Sequence, residues 1–175
     1  MTPTVILISG ANRGIGRALL ERYLLRPSHV VIAANRDPDH ASSKSLASLP
    51  KHPESQLVVV KVDAKSETDA ANTAKQLQQK DGIDHIDIVI ANAGVSYRFG
   101  KVSEINIDDI KDHMEPNAYG VVRLYQATLS LLLKSRNPKW VTVGSVAGSI
   151  ERRPSATDVD WRYYILGLMM LNLDR

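Results

Sequence analysis

Three glycines stand in the segment SGANRGIG, between an apolar run near the start of the chain and a stretch with helical spacing. Residues without side chains let the backbone turn sharply and approach a phosphate closely, and the following helix presents free N–H groups to an anion. A tight turn of purely structural purpose is the alternative, but the flanking strand and helix favour a dinucleotide pyrophosphate as the ligand. The predicted contacts in this loop are Gly10, Asn12, Arg13, Gly14, Ile15 and Gly16.

Two arginines indicate the kind of nucleotide. The second apolar run ends Ala34-Asn35-Arg36, without the carboxylate that would hold a ribose 2′-hydroxyl. Arg36 can pair with a phosphate through its planar guanidinium group, and Arg13 would add a second positive charge to the same pocket. One alternative is that both arginines are solvated surface residues. Another is that Asp37 bonds a ribose hydroxyl instead of a phosphate being bound there.

The segments that must position these residues alternate between strand-like and helix-like patterns. Runs that are apolar on both faces are typical of parallel strands covered by helices on both sides. Repeated strand–helix alternation predicts an α/β fold, a doubly wound parallel sheet with five strands in the order 3-2-1-4-5. The predicted strands are residues 5–9, 30–34, 57–62, 86–90 and 140–143, and the helical stretches are 15–25, 39–49, one that follows an N-cap at Ser66, and 107–134, which Pro116 interrupts.

Composition excludes several classes of protein. The 175 residues carry 22 basic and 19 acidic side chains, interspersed and without a basic cluster among aromatics, which argues against a nucleic-acid partner. Cysteine is absent, and the five histidines share no metal-ligand spacing, so we expect no metal site and histidines at the surface. No run approaches the roughly 20 apolar residues of a membrane span, and we expect a cytoplasmic protein without membrane contact.

Further motifs follow the later predicted strands in order. Asp63 follows the third strand, and Asn92-Ala93-Gly94 follows the fourth. Asn117 lies in the long helical stretch, and Ser145 follows the fifth strand within VGSVAGSI. With the glycine spacing, these blocks resemble the short-chain dehydrogenase/reductase family over residues 4 to about 150. Within that family the chain is similar to carbonyl reductases and to the norsolorinic acid ketoreductase group of fungal polyketide pathways.

The resemblance implies roles for these positions. Asp63 would contact the adenine, and the Asn92-Ala93-Gly94 segment would line the cofactor site. Arg13 and Arg36 together would imply NADP(H) as the cofactor. The family reduces a ketone or aldehyde, or oxidises a secondary alcohol, with a Tyr acid, a Lys four residues later that lowers the Tyr pKa, a Ser that holds the carbonyl oxygen and an Asn that anchors a water. Ser145 and Asn117 would be that Ser and that Asn.

The end of the chain departs from the family pattern. With one register the family's Tyr is Tyr164 and its Lys position holds Leu168, and with the other they are Tyr163 and Gly167. Lys139 is the last lysine, so neither register supplies the Tyr-x-x-x-Lys pair, and packing is the alternative role of both tyrosines. We expect a single NADP-binding domain over residues 1–175, family-like to about 150, with a divergent tail over 151–175 and without the family's last two strands.

Two functions remain open on the sequence. The first is an NADP(H)-dependent oxidoreductase acting on a small-molecule carbonyl or alcohol, in a context such as secondary metabolism. The second is an inactive, shortened family member that only binds nucleotide or serves as an interaction module. A homo-oligomer would form through the long helix and the apolar tail.

Overall fold

The computed structural model describes residues 2–97 and 104–145. Five strands and five α-helices alternate along this part of the chain. The strands are β1 (Thr4–Ser9), β2 (His29–Asn35), β3 (Gln56–Lys61), β4 (Ile88–Ala91) and β5 (Lys139–Thr142). The helices are α1 (Gly14–Leu24), α2 (Ala41–Lys44), α3 (Asp69–Gln79), α4 (Ile107–Met114) and α5 (Gly120–Leu132).

The five strands form one parallel sheet in the order β3-β2-β1-β4-β5, which confirms the predicted topology. The central strand β1 pairs with β2 along its whole length, from Thr4 opposite His29 to Ser9 opposite Ala34. On its other side Ile6, Leu7 and Ile8 pair with β4. Because all strands run the same way, the loops that follow β1 to β4 meet at one edge of the sheet.

The core divides into one hydrophobic cluster on each face of this sheet. Leu7 packs on the face covered by α3 and α5, where Leu77 and Leu131 are fully buried. Ile6 and Ile8 point to the other face, where Leu20 of α1 is fully buried. Successive strand residues point to opposite faces, so a strand that is apolar at every position needs cover on both sides.

The segment after β2 folds differently from the single short helix predicted over 39–49. Only Ala41–Lys44 is α-helical, and Ser45–Ser48 forms a 3₁₀ turn. The hydroxyl of Ser45 donates to the carbonyl oxygen of Ser42, and that of Ser48 donates to the carbonyl oxygen of Ser45. Serine side chains that bond their own backbone compete with regular helix, which accounts for the short α2.

The long helical stretch is interrupted where the sequence predicts. Helix α4 ends at Met114, residues Glu115–Tyr119 form a π-helical turn, and α5 begins at Gly120. Proline lacks the N–H that the helix would need at position 116, so the backbone widens instead of continuing as regular helix. A side chain at Gly120 would lie 2.6 Å from the Ala64 carbonyl oxygen, so glycine there lets α5 pack closely on the segment after β3.

Strand β5 lies at one edge of the described sheet. It pairs only with β4 among residues 2–97 and 104–145, and Val141 is 43% exposed. Its inner side is anchored by Trp140, whose ring packs edge-on against Tyr125 of α5. Within the described residues, none of the helices combines the length and apolar character of a membrane span.

Candidate functional site

A cleft of about 540 Å³ opens at the carboxyl ends of the strands, where the loops after β1 to β4 meet. Its volume lies in the ordinary range of ligand pockets. Most residues that the sequence predicts to bind the cofactor line this one cleft. They are Gly10, Asn12, Arg13, Gly14, Ile15, Arg36, Asp63, Asn92, Ala93 and Gly94. The remaining predicted residue, Gly16, is buried against the loop itself.

The glycine loop owes its shape to two different requirements. Gly10 and Gly14 have φ angles of +65° and +56°, which L-residues with side chains rarely adopt. A side chain at Gly16 would lie 2.4 Å from the Gly10 carbonyl oxygen and 2.5 Å from Nδ2 of Asn92. A side chain at Gly14 would meet nothing within 4 Å, since it would project into the open cleft. The backbone at Gly14 therefore faces the cleft without a side chain that would obstruct a ligand.

Helix α1 begins at this loop and presents its N-terminus to the cleft. Arg13 precedes the first helical residue, no side chain caps the helix, and its first turn holds no acidic residue. The first N–H groups of a helix have no partner within the helix, and the helix dipole favours an anion beside them. A pyrophosphate at this place would meet free amide donors, and the first turn of α1 holds no carboxylate that would compete for them.

Asn92 and Ser9 tie the loop to the sheet. The Asn92 amide donates to the carbonyl oxygens of Ser9 (2.9 Å) and Gly10 (3.2 Å). The Ser9 hydroxyl accepts from the backbone N–H groups of Asn92 and Ala93, both at 3.0 Å. The Asn92 side chain therefore fixes the ends of β1 and β4 relative to each other. Ser9 is not among the residues predicted from the sequence, although a serine that ends a buried strand next to a glycine loop is a usable signal.

The end of β2 makes one side of the cleft basic. Arg13 and Arg36 are exposed, and neither has an ion-pair partner among the described residues. Asp37 also lines the cleft, with Oδ1 accepting the backbone N–H of Asp39 at 2.9 Å. Asn35 is fully buried, and its Oδ1 has no hydrogen-bond partner in the described part of the chain. Two unpaired guanidinium groups beside a helix N-terminus suit a second phosphate.

The end of β3 is held by a carboxylate network. The N-cap residue of α3 is Thr68 and not the predicted Ser66, because the helix begins only at Asp69. The Ser66 hydroxyl still accepts from the Asp69 backbone N–H and donates to Oδ1 of Asp69. Oδ2 of Asp69 accepts the Asp63 backbone N–H at 3.1 Å. Burial disfavours the charged form of Asp69, but the bonds from Ser66 and Asp63 outweigh it and lower its pKa. This network sets the position of Asp63 at the cleft.

Asn117 does not line the cleft itself, but it holds Val95, which does. Its side chain is 2% exposed, Oδ1 accepts the Val95 N–H at 2.8 Å, and Nδ2 donates to the Val95 carbonyl oxygen at 2.9 Å. A side chain on Gly94 would lie 3.2 Å from Asn117 Oδ1, so glycine permits this approach. Pro116 and Val95 line the cleft, and the π-helical turn around Asn117 aims its amide at the loop after β4.

Ser145 follows β5 and is exposed, outside the residues that line the cleft. Tyr163, Tyr164, Gly167 and Leu168, on which the two registers of the catalytic pair depend, lie outside the described residues. The structure thus brings the predicted cofactor residues together. The catalytic roles of Ser145, Asn117 and Tyr164 stay predictions.

The expectation that all histidines lie at the surface is wrong for His113. Its ring is 3% exposed, with Nδ1 at 2.6 Å from the Asp109 carbonyl oxygen and Nε2 accepting the Tyr97 N–H at 2.9 Å. The ring thereby holds Tyr97, which lines the cleft, onto α4. Hydrophobic periodicity does not reveal this burial, because the contact joins a loop to a helix. No group of potential metal ligands occurs among residues 2–97 and 104–145.

Several cleft residues were not predicted. Each lies within a few residues of the end of β2, β3 or β4 or in the π-helical turn, which was the signal that could have found most of them. They are His40, Ser42, Val62, Ala64, Lys65, Val95, Tyr97 and Pro116. Asp37, which the sequence offers as an alternative ligand of the ribose, lines the cleft as well.

Parallel sheet, glycine loop and cleft together define a Rossmann-type nucleotide-binding domain. The family model described as short chain dehydrogenase matches residues 4–156, and the chain belongs to this family.

Two curated fungal proteins are similar over most of the chain. Norsolorinic acid ketoreductase stcE of Emericella nidulans is 36% identical over 163 residues, covering 93% of this chain and 62% of its own length. Norsolorinic acid ketoreductase nor1 of Dothistroma septosporum is 40% identical over 149 residues, covering 84% of this chain and 55% of its own length. The chain therefore spans little more than half the length of these relatives.

Solved structures share the fold. The NADPH-bound carbonyl reductase from chicken fatty liver superposes with a TM-score of 0.82 at 24% identity, covering 97% of this chain and 71% of that one. An alcohol dehydrogenase from the archaeon Thermococcus sibiricus, complexed with 5-hydroxy-NADP, gives a TM-score of 0.78 at 23% identity, covering 95% and 66%. At these identities the likeness concerns the fold.

Proposed function

We propose that this chain is the cofactor-binding part of an NADP(H)-dependent oxidoreductase that acts on a ketone, an aldehyde or a secondary alcohol in fungal-type secondary metabolism. The observation that carries the cofactor assignment is the pair Arg13 and Arg36, exposed at one cleft and without ion-pair partners among the described residues. The substrate class follows the names of the similar proteins, which are ketoreductases and a carbonyl reductase.

The charge balance favours a phosphate on the ribose over a free hydroxyl. A phosphate monoester carries about −1.5 to −2 charge at neutral pH, and guanidinium groups bind it through paired hydrogen bonds. Asn35 stands at the end of β2, where a carboxylate would repel that phosphate. Asp37 opposes the assignment by charge, but one of its oxygens is engaged by the Asp39 N–H.

Calorimetric titration of the purified chain with NADP(H) and NAD(H) tests this proposal. Arg36→Ala should weaken NADP(H) binding about tenfold or more, because a charge-assisted bidentate pair is lost, and should leave NAD(H) binding nearly unchanged. Arg22→Ala is the matched control, since Arg22 is an exposed arginine at the other end of α1. Equal affinities of the unaltered chain for the two cofactors would contradict the assignment.

For the chemistry, a bound nicotinamide would supply or accept the hydride. Among this chain's residues, Ser145 would hold the carbonyl oxygen, Tyr164 would deliver the proton, and Asn117 would act as a positioning residue through Val95. A phenol beside a cation is a far better proton donor at neutral pH than one without it. Leu168 stands where the family has that cation.

Leu168→Lys should therefore raise the rate of carbonyl reduction about tenfold or more, measured as NADPH oxidation with quinones and diketones. Gly167→Lys places the same charge in the alternative register with Tyr163 and serves as the matched control. A gain with Gly167→Lys alone would assign the proton donor to Tyr163. Fast turnover by the unaltered chain that neither variant changes would refute the need for this lysine.

A cytoplasmic location and a homo-oligomer remain predictions. The oligomer proposal is supported by exposed apolar side chains along the helical stretch 107–134, with Ile107 65%, Tyr119 51% and Leu133 72% exposed. Light scattering on the purified chain measures its mass directly.

A further inference from the structure

A small cluster of polar side chains lies at the cleft beside the arginines. His40, Ser42 and Asn12 all line the cleft. Nδ2 of Asn12 donates to the Ser42 hydroxyl oxygen at 2.7 Å, and this oxygen lies 2.8 Å from Nδ1 of His40. The cluster thus joins the glycine loop to the segment after β2, where Arg13 and Arg36 also face the cleft.

The donors and acceptors of this cluster fix the histidine tautomer. Nδ1 of His40 accepts the backbone N–H of Ser42 at 3.2 Å, so Nδ1 carries no proton in the neutral ring. The Ser42 hydroxyl, which already accepts from Asn12, lies 2.8 Å from the same nitrogen, so its proton and the Ser42 N–H share the single lone pair of Nδ1. The ring proton is on Nε2, and no group in the described part of the chain bonds to Nε2.

We infer that His40 is a further specificity-determining residue for the phosphate on the ribose 2′ position, donating from Nε2, and that Ser42 and Asn12 are its positioning residues. The inference rests on the proposed cofactor. A phosphate accepts hydrogen bonds and has none to donate when fully ionised, so a cleft-lining ring that donates from Nε2 matches it. A ribose hydroxyl gains no comparable advantage from a third basic group.

The arrangement differs from a purely local helix cap. His52 makes the same kind of bond, its Nδ1 accepting the Glu54 backbone N–H at 3.3 Å, yet it does not line the cleft. Of these two rings, His40 is the one that is additionally held by a side chain, Ser42, which Asn12 of the glycine loop holds in turn. The charged groups of the same segment are the cleft-lining Arg36 and Asp37 and the exposed Lys44–Asp39 ion pair, which is neutral as a pair. From outside the segment, Arg13 lines the same cleft and Arg17 of α1 donates to the Ser45 hydroxyl.

The test compares two ligands that differ only in the 2′-phosphate. Adenosine 2′,5′-bisphosphate and 5′-AMP are titrated by calorimetry into the unaltered chain and its variants. His40→Asn keeps an acceptor for the Ser42 N–H but removes the Nε2 donor, so affinity for the bisphosphate should fall about tenfold while that for 5′-AMP changes less than about twofold. His52→Asn, the matched control, should alter neither affinity.

The positioning role is tested separately. Ser42→Ala should lower bisphosphate affinity about threefold to fivefold, and Ser42→Thr, which keeps the hydroxyl, should restore it. Ser48→Ala, an exposed serine on the adjoining 3₁₀ turn, is the control. Thermal unfolding of each variant checks that the fold persists.

The outcomes separate this inference from the proposed function. If the unaltered chain prefers the bisphosphate and His40→Asn retains that preference, the inference is overturned and the cofactor assignment stands. If the unaltered chain shows no preference for the bisphosphate, both are overturned. A parallel loss of affinity for both ligands in His40→Asn would assign His40 a structural role and also overturn the inference.

Discussion

The two halves of the site are built in different ways. On the nucleotide side, short loops after β1, β2 and β3 bring backbone amides and two exposed arginines to one cleft. On the side of the proposed chemistry, Asn117 is buried with both amide atoms engaged by Val95, and Ser145 is exposed beyond an edge strand. The first half presents its polar groups to a ligand, whereas the second uses its best-placed polar side chain to hold the protein's own backbone.

This difference follows from what each half must recognise. A phosphate is bound by amide groups and charges that a single loop and helix end can supply, so neighbouring residues suffice. Proton transfer needs side chains from separate segments within hydrogen-bond reach of one atom. The nucleotide half can therefore be assembled by short connections, while the catalytic half depends on the distant chain segments being positioned together.

We expect the greatest loss of stability from a substitution in the glycine loop. Gly16→Ala places a methyl group against the Gly10 carbonyl oxygen and Asn92 Nδ2, and should lower the free energy of unfolding by about 3 kcal/mol through overpacking and lost Asn92 bonds. Gly14→Ala, whose added carbon meets nothing within 4 Å, should cost only about 1 kcal/mol from its positive φ. Urea unfolding of both variants measures the difference, and equal losses would contradict the packing account.

A substitution of Asn117 should lower stability without changing nucleotide affinity, in contrast to one at the nucleotide side. Asn117→Ala leaves the N–H and C=O of Val95 without their partners and should cost about 2 kcal/mol of stability. Because Asn117 does not line the cleft, affinity for 5′-AMP should change little once the variant is folded. Asn72→Ala, an exposed asparagine of α3, is the control. A large loss of 5′-AMP affinity with unchanged stability would place Asn117 at the ligand instead.

The smallest effect concerns acid stability at the end of β3. The pKa of Asp69 lies below its ordinary 3.8, so its charged form stabilises the fold above that pH, and this contribution is lost as the pH falls through the lowered value. Asp69→Asn should therefore cost about 1 kcal/mol at neutral pH, with the difference from the unaltered chain shrinking below pH 3.8. Unfolding curves between pH 7 and pH 2.5 test this, with the exposed Asp81→Asn as control. A difference that is independent of pH would refute the role of its charge.

Much of the nucleotide half could be predicted from the sequence. Phosphate recognition depends on residue types at fixed short spacings, so the sequence predicts the glycine loop and Arg36 as ligands directly. The predicted strand order, which follows from the alternation of strand and helix, is confirmed. Element ends shifted by a few residues, and α2 proved shorter, because serine side chains took the hydrogen bonds that decide where a helix stops. These are local effects that periodicity does not resolve.

The family, the parallel strand order and the positions of the loop glycines can be read from the sequence, because each depends on local pattern and short connections. The tertiary structure alone decided which polar groups remain free for a ligand. It paired Asn117 with Val95 across 22 positions of the chain and joined Asn12 to Ser42 across 30. It also buried His113 under Tyr97. Such pairings arise when distant segments meet, and hydrogen bonds formed there consume donors and acceptors that the sequence leaves unassigned.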